Sequence, residues 1–139
     1  MSTTEQNLET VRSIYAAFGK GDVPAILELL SDDVAWDADH THTGDIPWLR
    51  PGHGKAHVVE FFQTLGAGAE FHAFEPIAIL GNELWVTTIL RVEFTVRATG
   101  KRVAEPSEVH IFGFGSDGKV SSFRHSVDTR QHAEAAGVL

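Results

Sequence analysis

The residues best suited to chemistry in the first half of the chain lie between two tryptophans, in WDADHTHTGDIPW at positions 36–48. Asp37, Asp39, His40 and His42 bring carboxylates and imidazoles close together. An H-x-H pair on a strand places both rings on one side, which is a spacing that metal sites use. The same residue types serve as general acids and bases, because histidine titrates near neutral pH. The stretch alone leaves open a metal site, a catalytic group or a polar loop.

Three further ionisable residues, Glu108, His110 and His125, lie late in the chain among alternating apolar residues. Successive side chains of a strand point to opposite faces. The phenylalanines that fall on the same alternating positions of these strands as the three ionisable residues are Phe112, Phe114 and Phe123. We therefore predict that the three ionisable groups face the interior, where unpaired charge is costly and pKa values shift. The opposite arrangement, with Val109 and Ile111 in the core, is the alternative.

Apolar residues recur at helical spacing in the first half of the chain and predict three helices. These helices are expected over residues 5–18, 23–30 and 55–65. The polar run at 2–4 offers an N-cap for the first helix, and Asp22 caps the second. VAW at 34–36 predicts a short strand after the Ser-Asp-Asp run at 31–33 has broken the pattern. Residues 39–54, rich in Gly, Pro, His and Asp, predict a loop.

After residue 69 the hydrophobic period changes to two, which predicts antiparallel strands joined by tight turns. The strands are expected over residues 71–80, 83–97, 103–115 and 120–127. One face of the second strand is predicted to carry Leu84, Val86, Leu90, Val92, Phe94 and Val96. A short helix over 129–136 would end the chain. Helices that precede a meander indicate an α+β fold, with the helices on one face of a curved sheet.

Composition limits the classes of function. At 139 residues the chain is expected to form one domain, residues 1–139. The formal net charge of -8 would repel phosphate backbones, so no nucleic-acid partner is expected, and no membrane partner either. The absence of cysteine excludes disulfides and thiol nucleophiles. No apolar segment has the length of a signal or transmembrane sequence, so a cytoplasmic location is expected.

Several local strings, in this order, resemble the NTF2-like superfamily over nearly the whole chain. The strings are VRSIYAAFGKGDVPAILELLSDDVAW at 11–36, GHGKAHVVEFF at 52–62, RATGK at 97–101 and FGSDGKVSSFRHSVDT at 114–129. Within the superfamily the chain is most similar to SnoaL-like polyketide cyclases and ketosteroid-isomerase-related proteins. The resemblance implies an NTF2-like cone of three N-terminal helices on a curved, mostly antiparallel sheet. It also implies a homodimer paired through the outer sheet face.

The roles of ketosteroid isomerases transfer only in part. By the resemblance, the oxyanion-hole acid of that family corresponds to His110 and its general base to Ala38, which has no proton chemistry. The helix-one tyrosine corresponds to Ile14, with Tyr15 beside it. The chain therefore resembles the cyclase and dehydratase branches more closely than a true isomerase of this kind.

Enolisation needs a base near a substrate C–H and a donor where negative charge develops on oxygen. The candidate catalytic residues are His110, Asp37, Glu108 and His125. The candidate substrate-binding residues are Tyr15, Trp36, His40, Phe112 and Phe123. If the strand alternates regularly with Trp36 and Ala38 inward, the side chains of Asp37 and Asp39 point outward and that of His40 points inward. A bulge at the strand end would reverse these directions.

The functional prediction is a cofactor-free proton-transfer enzyme acting on a small hydrophobic carbonyl compound, as an isomerase, cyclase or dehydratase. A non-catalytic ligand-binding or dimerisation domain of the same fold is the alternative. Neither a metal nor a cofactor is expected, because no second His/Glu cluster is tied by spacing to the one at 37–42 and the resembling families mostly act without metal.

Overall fold

The computed structural model describes residues 1–38 and 45–139. Within these ranges the helices are α1 (Thr4–Gly19), α2 (Val23–Glu28), α3 (Lys55–Gly68) and α4 (Thr129–Ala136). The strands are β1 (Leu30–Trp36), β2 (Gly52–His53), β3 (Ala69–Gly81), β4 (Trp85–Val96), β5 (Arg102–Phe114) and β6 (Val120–Ser126). A 3-10 turn covers Pro47–Leu49. The predicted α+β fold is confirmed, with the C-terminal helix α4 added to the three N-terminal ones.

The strands form one sheet in the order β2-β1-β6-β5-β4-β3. β1 runs parallel to β6, and every other neighbouring pair is antiparallel. In the register of β5 and β6, His110 lies opposite His125 and Phe112 opposite Phe123. These four side chains are buried, so the predicted inward face of both strands is confirmed.

Local sequence signals explain the ends of the first two helices. Thr3 caps α1 in a capping box, in which its hydroxyl accepts from the Gln6 amide and its own amide donates to the Gln6 side chain. Gly21, at φ 69°, provides the left-handed turn that follows α1. The Asp22 carboxylate then accepts from the Ala25 amide and begins α2.

Two details of the prediction were wrong. Ser31, Asp32 and Asp33 do not interrupt the chain before the strand, because β1 already begins at Leu30 and pairs there with Val120. Leu84 does not share the inner face of β4, because it lies in the turn before the strand with 54% of its surface exposed.

The core consists of two clusters of buried apolar residues. The first lies between α1, α2 and the β1, β5 and β6 strands, and includes Val11, Val34 and Phe112. The second lies between β4, the start of β5 and α4. Tyr15 and Phe61 pack against both clusters, so the space between helices and sheet is continuous from one to the other. No helix in the described ranges is long and apolar enough to span a membrane.

Candidate functional site

A cavity opens between the helices and the inner face of the sheet. It has about 700 Å³ of space not filled by protein atoms, part of it open to solvent. The aromatic side chains in its wall are Tyr15, Phe18, Trp36, Trp48, Phe61, Phe62, Phe71, Phe74, Phe94, Phe112 and Phe123. The polar ones are Glu108, His110, His125 and His132. Such a wall favours an apolar ligand that is oriented by a few polar contacts.

His125 and Asp37 form a buried pair on one side of this cavity. The carboxylate of Asp37 accepts from the His125 ring at Nδ1, 2.8 Å away, and from the His125 backbone amide, 2.7 Å away. Asp37 is fully buried, and the His125 side chain is 10% exposed. The Nε2 atom of His125 has no hydrogen-bond partner in the part of the chain that the structure describes. An imidazole oriented by a carboxylate, with its other nitrogen unbound, has the arrangement of a general base.

A break in strand alternation brings Asp37 to His125. Val34 and Trp36 face the core, so regular alternation would turn Asp37 away from it. Asp37 instead has a left-handed backbone with φ 53°, and its amide donates to the Phe123 carbonyl at 2.8 Å. The irregular strand end that the sequence left open is therefore present, and it turns the carboxylate inward.

His110 lies beside His125 but has different partners. Its Nδ1 atom is 2.8 Å from the Tyr15 hydroxyl, and its Nε2 atom is 2.7 Å from a carboxylate oxygen of Glu108. The two histidine rings meet edge to face with centroids 5.1 Å apart. Both ring nitrogens of His110 are thus occupied, so His110 accepts a substrate proton only if one of these bonds opens.

Behind Glu108 lies a second polar group that sequence reasoning missed: Glu105, His132 and Trp48. His132 Nε2 is 2.7 Å from a Glu105 oxygen, and the Trp48 indole donates to His132 Nδ1 at 2.9 Å. Glu105 also accepts from the Asp128 amide, and one of its carboxyl oxygens lies within 4.8 Å of an oxygen of Glu108. Polar groups therefore follow one another from Tyr15 to Trp48 along one side of the cavity.

An irregularity in β5 explains why Glu105 was missed. Strict alternation from Glu108 places Glu105 on the opposite face. The register of β5 against β4 shifts between the Leu90–Glu108 and Val92–Glu105 pairs, and both glutamates are buried. Pro106 lies in the shift, and a proline inside a strand is a typical sign of a bulge. That proline was the signal available in the sequence.

Burial changes the proton affinities in this group. It raises the pKa of Glu108 to about 8, with the hydrogen bond to Glu105 acting in the same direction. It also lowers the pKa of His110 to about 4 and raises the pKa of the Tyr15 hydroxyl. Burial alone would raise the pKa of Glu105, but hydrogen bonds from His132, Glu108 and the Asp128 amide outweigh it and hold that pKa at about 2. Near neutral pH, Glu108 is therefore protonated, His110 is uncharged and Glu105 carries the negative charge.

Glu105, Glu108 and His132 also offer ligand atoms within 4.8 Å of one another, which is close enough to hold a metal ion. The hydrogen bonds of these residues, however, require a proton on His132 Nε2, at the position that a metal ion would occupy. The Trp48 indole is a donor only, so His132 Nδ1 must be an acceptor and the ring proton must reside on Nε2. A cation on Nε2 would move that proton to Nδ1, where it would face the indole N–H.

The structure brings most of the predicted site residues together. Those that line the cavity are Tyr15, Trp36, Glu108, His110, Phe112, Phe123 and His125. Asp37 joins them through His125. Ile14 lines the cavity together with Tyr15, although only Tyr15 offers a polar group. Asp39, His40 and His42 lie outside the described residues, so the substrate-binding role of His40 stays a prediction, as do the roles assigned to the others.

Among the comparisons with known proteins, a family model identifies the family and the solved structures share the fold. The family model described as SnoaL-like domain matches residues 11–123. An NTF2-like protein from Burkholderia xenovorans LB400 superposes with a TM-score of 0.83 at 23% identity, covering 96% of this chain and 97% of that one. An NTF2-like protein of unknown function from Burkholderia pseudomallei K96243 gives 0.77 at 25% identity, covering 98% of each chain. A proposed polyketide cyclase from Xanthomonas campestris pv. campestris gives 0.74 at 18% identity, covering 96% and 98%. A sequence comparison with curated proteins finds no match.

Proposed function

Because the chain belongs to the SnoaL-like domain family of the NTF2-like superfamily, we propose that it is a cofactor-free proton-transfer enzyme acting on a small hydrophobic carbonyl compound. Isomerisation, cyclisation and dehydration of such a compound all begin with, or pass through, proton removal next to a carbonyl group. The observation that carries the proposal is the Asp37–His125 pair in the wall of an apolar cavity, with His125 Nε2 unbonded within the described residues.

In the proposed reaction, His125 Nε2 takes the proton from the carbon beside the carbonyl group. Asp37 keeps the ring proton on Nδ1 and stabilises the imidazolium that forms. The negative charge that develops on the substrate oxygen then needs a donor. The Tyr15 hydroxyl lines the same cavity and is the candidate for that role, which it takes by releasing its hydrogen bond to His110 Nδ1, 2.8 Å away.

The test uses proton exchange, which needs no knowledge of the natural substrate. The protein is incubated in D₂O with 2-tetralone or 1-indanone, two small apolar ketones, and loss of the signal from the C–H groups beside the carbonyl is followed by ¹H NMR. We expect the protein to accelerate exchange above the buffer rate, and the His125→Ala and Asp37→Asn variants to lose that acceleration. His72→Ala is the matched control, because His72 is exposed and bonded to Thr95 outside the cavity.

The alternative function, non-catalytic binding of a small ligand, is favoured by the closed hydrogen bonding of His110, whose two ring nitrogens are already occupied. Fluorescence of Trp36 and Trp48 in the cavity wall reports binding separately from exchange. Ketones that bind without accelerated exchange would favour the binding function. Equal exchange by wild type and His125→Ala would remove His125 as the base.

We also propose that two copies of the chain pair through the outer face of the sheet. The support is a set of exposed apolar side chains on and around the β3–β4 hairpin. They are Ile77, Leu80, Leu84 and Trp85, each at least 50% exposed. The Trp85 ring lies against Gly113 on the outward side of the sheet, where a Cβ atom would meet it at 2.9 Å. Light scattering at micromolar concentration tests this proposal, and a monomeric mass would contradict it.

A further inference from the structure

The charge arrangement of the polar group behind the cavity wall follows from its hydrogen-bond directions and from the closeness of its two buried carboxyl groups. Trp48 can only donate, so His132 accepts at Nδ1 and donates from Nε2 to Glu105. Glu105 already accepts from the Asp128 amide. Glu105 and Glu108 are both buried, and each offers a carboxyl oxygen within 4.8 Å of the other. Two buried carboxyl groups this close do not both ionise, so one of them keeps a proton near neutral pH.

The donors of Glu105 decide which carboxyl group keeps that proton. Glu105 receives the His132 ring N–H and the Asp128 N–H, which stabilise a negative charge on it. Glu108 is buried among aromatic rings and faces Glu105, His110, His132, His125 and Tyr15. The charge therefore resides on Glu105, away from the ligand space, and the proton on Glu108, at its edge. His110 then donates from Nε2 to Glu108 and accepts from the Tyr15 hydroxyl at Nδ1.

From this arrangement we propose that Glu105, His132 and Trp48 are positioning residues that keep one proton on Glu108, so that the wall of Tyr15, His110 and Glu108 is uncharged and the cavity selects neutral over anionic ligands. The proposal deepens the proposed function, since it names the charge state of the substrate. The negative charges of Asp37 and Glu105 lie behind residues of the cavity wall, where donors of the protein hold each of them, and both would repel a ligand carboxylate.

The first measurement is made on the ligand-free protein, so its outcome does not depend on the proposed reaction. Infrared difference spectra across a pH titration follow the C=O band of a protonated carboxylic acid. We expect an acid band near neutral pH that is absent in Glu108→Gln. Glu105→Gln removes both the neighbouring charge and the carboxylate acceptor, each of which raises the pKa of Glu108, so the titration midpoint of the band should fall by at least one pH unit.

Trp48→Phe provides a second variant should Glu105→Gln fail to fold. Without the indole N–H, nothing fixes the His132 ring proton on Nε2, so the hydrogen bond that holds the charge on Glu105 weakens and the midpoint of the Glu108 band should again fall. Trp36→Phe is the matched control: Trp36 is a buried indole of the same cavity, but its N–H has no hydrogen-bond partner among residues 1–38 and 45–139. Trp36→Phe should leave the midpoint unchanged. A wild type without the acid band, or a midpoint that neither variant moves, would overturn the proposal.

The second measurement compares two ligands with one ring system, neutral 2-tetralone and anionic tetralin-2-carboxylate, by calorimetry. Near pH 6.5 we expect the anion to bind at least about tenfold more weakly, which corresponds to 1.4 kcal/mol. As the pH rises through 8, ionisation of Glu108 should weaken 2-tetralone binding, and in Glu105→Gln that weakening should begin at lower pH. Equal or tighter binding of the anion would contradict the selection of neutral ligands, whether or not ketones exchange protons.

Discussion

Two buried histidines lie opposite each other on neighbouring strands, and their surroundings assign them different tasks. Among the described residues, His125 has a carboxylate on one ring nitrogen and no partner on the other, whereas His110 is bonded at both. Their exposures are similar, with side chains 10% and 6% accessible. Burial therefore does not distinguish the two rings. The distinction comes from their partners, since an imidazole with an unbound nitrogen can exchange a proton and a saturated one mainly fixes its neighbours.

The acids beside the two histidines differ in the same way. Asp37 bonds its histidine directly and accepts from its backbone amide as well. Glu108 is protonated, and the negative charge of the two carboxyl groups resides on Glu105. One side of the cavity thus combines a charge with an available base, and the other is polar but uncharged at the ligand surface. An enolising site needs this combination. The base gains a positive charge as it takes the proton, and the opposite wall must stabilise the negative charge that develops on the substrate oxygen.

The largest expected effect separates the two histidines directly. We expect His125→Ala to reduce protein-catalysed exchange of 2-tetralone by about 10²- to 10⁴-fold, the range for a lost general base. His110→Phe should reduce it by less than about tenfold, because the ring that it replaces has no free nitrogen. The exchange rate by ¹H NMR is the measurement, with circular dichroism as the folding control. A larger loss for His110→Phe would reverse the assignment.

An intermediate effect is expected from the two buried indoles. Trp48→Phe leaves His132 Nδ1 without its donor, and an unsatisfied buried acceptor costs about 1–3 kcal/mol. Trp36→Phe removes a similar ring volume but no hydrogen bond in the described part of the chain. We therefore expect the free energy of unfolding in urea to fall by at least about 1 kcal/mol more for Trp48→Phe. Equal losses would indicate that packing alone determines both.

The smallest effect is the pH dependence of stability on the His110 side. The folded pKa of Glu108 is raised from 4.5 to about 8, so its contribution is complete below 4.5 and is lost as the pH rises to 8. The folded pKa of His110 is lowered from 6.5 to about 4, so its contribution is lost as the pH falls from 6.5 to 4. Between pH 6.5 and 8 Glu108 dominates, and stability should fall by at most about 1.4 kcal/mol per pH unit. Urea unfolding of Glu108→Gln over this window should give a flatter profile, and a wild-type stability that rises would contradict the raised pKa.

Hydrophobic periodicity was sufficient to predict the α+β fold class and the inward face of β5 and β6, whereas the NTF2-like fold was predicted from the family resemblance. It found His110, His125 and Glu108 because regular alternation relates each of them to a phenylalanine. It did not find Glu105, because a register shift places residues three apart on the same face. His132 was not found either, since it lies on a helix that meets the cavity only in the folded chain.

Asp37 shows the other limit of periodicity. Regular alternation from Trp36 predicts an outward side chain for Asp37. No neighbouring residue predicts the left-handed backbone that turns this side chain inward. That conformation depends on the tertiary contacts of Asp37 with Phe123 and His125, which are more than 80 residues away. Local sequence patterns carry no information about contacts at that separation. Irregular backbone at a functional residue is a common reason why periodicity leaves the direction of such a side chain undecided, as it did for Asp37.

The backbone of Asp37 also sets two selective pressures against each other. A left-handed conformation costs a non-glycine residue about 1 kcal/mol or more, and glycine avoids most of that cost. Glycine at position 37 would relieve that cost, but it would remove the carboxylate that orients His125 and leave the buried His125 amide without its acceptor, which costs about 1–3 kcal/mol. Selection for a relaxed backbone and selection for the hydrogen bonds of His125 therefore oppose each other at this position, and thermostabilisation of the protein is best directed elsewhere.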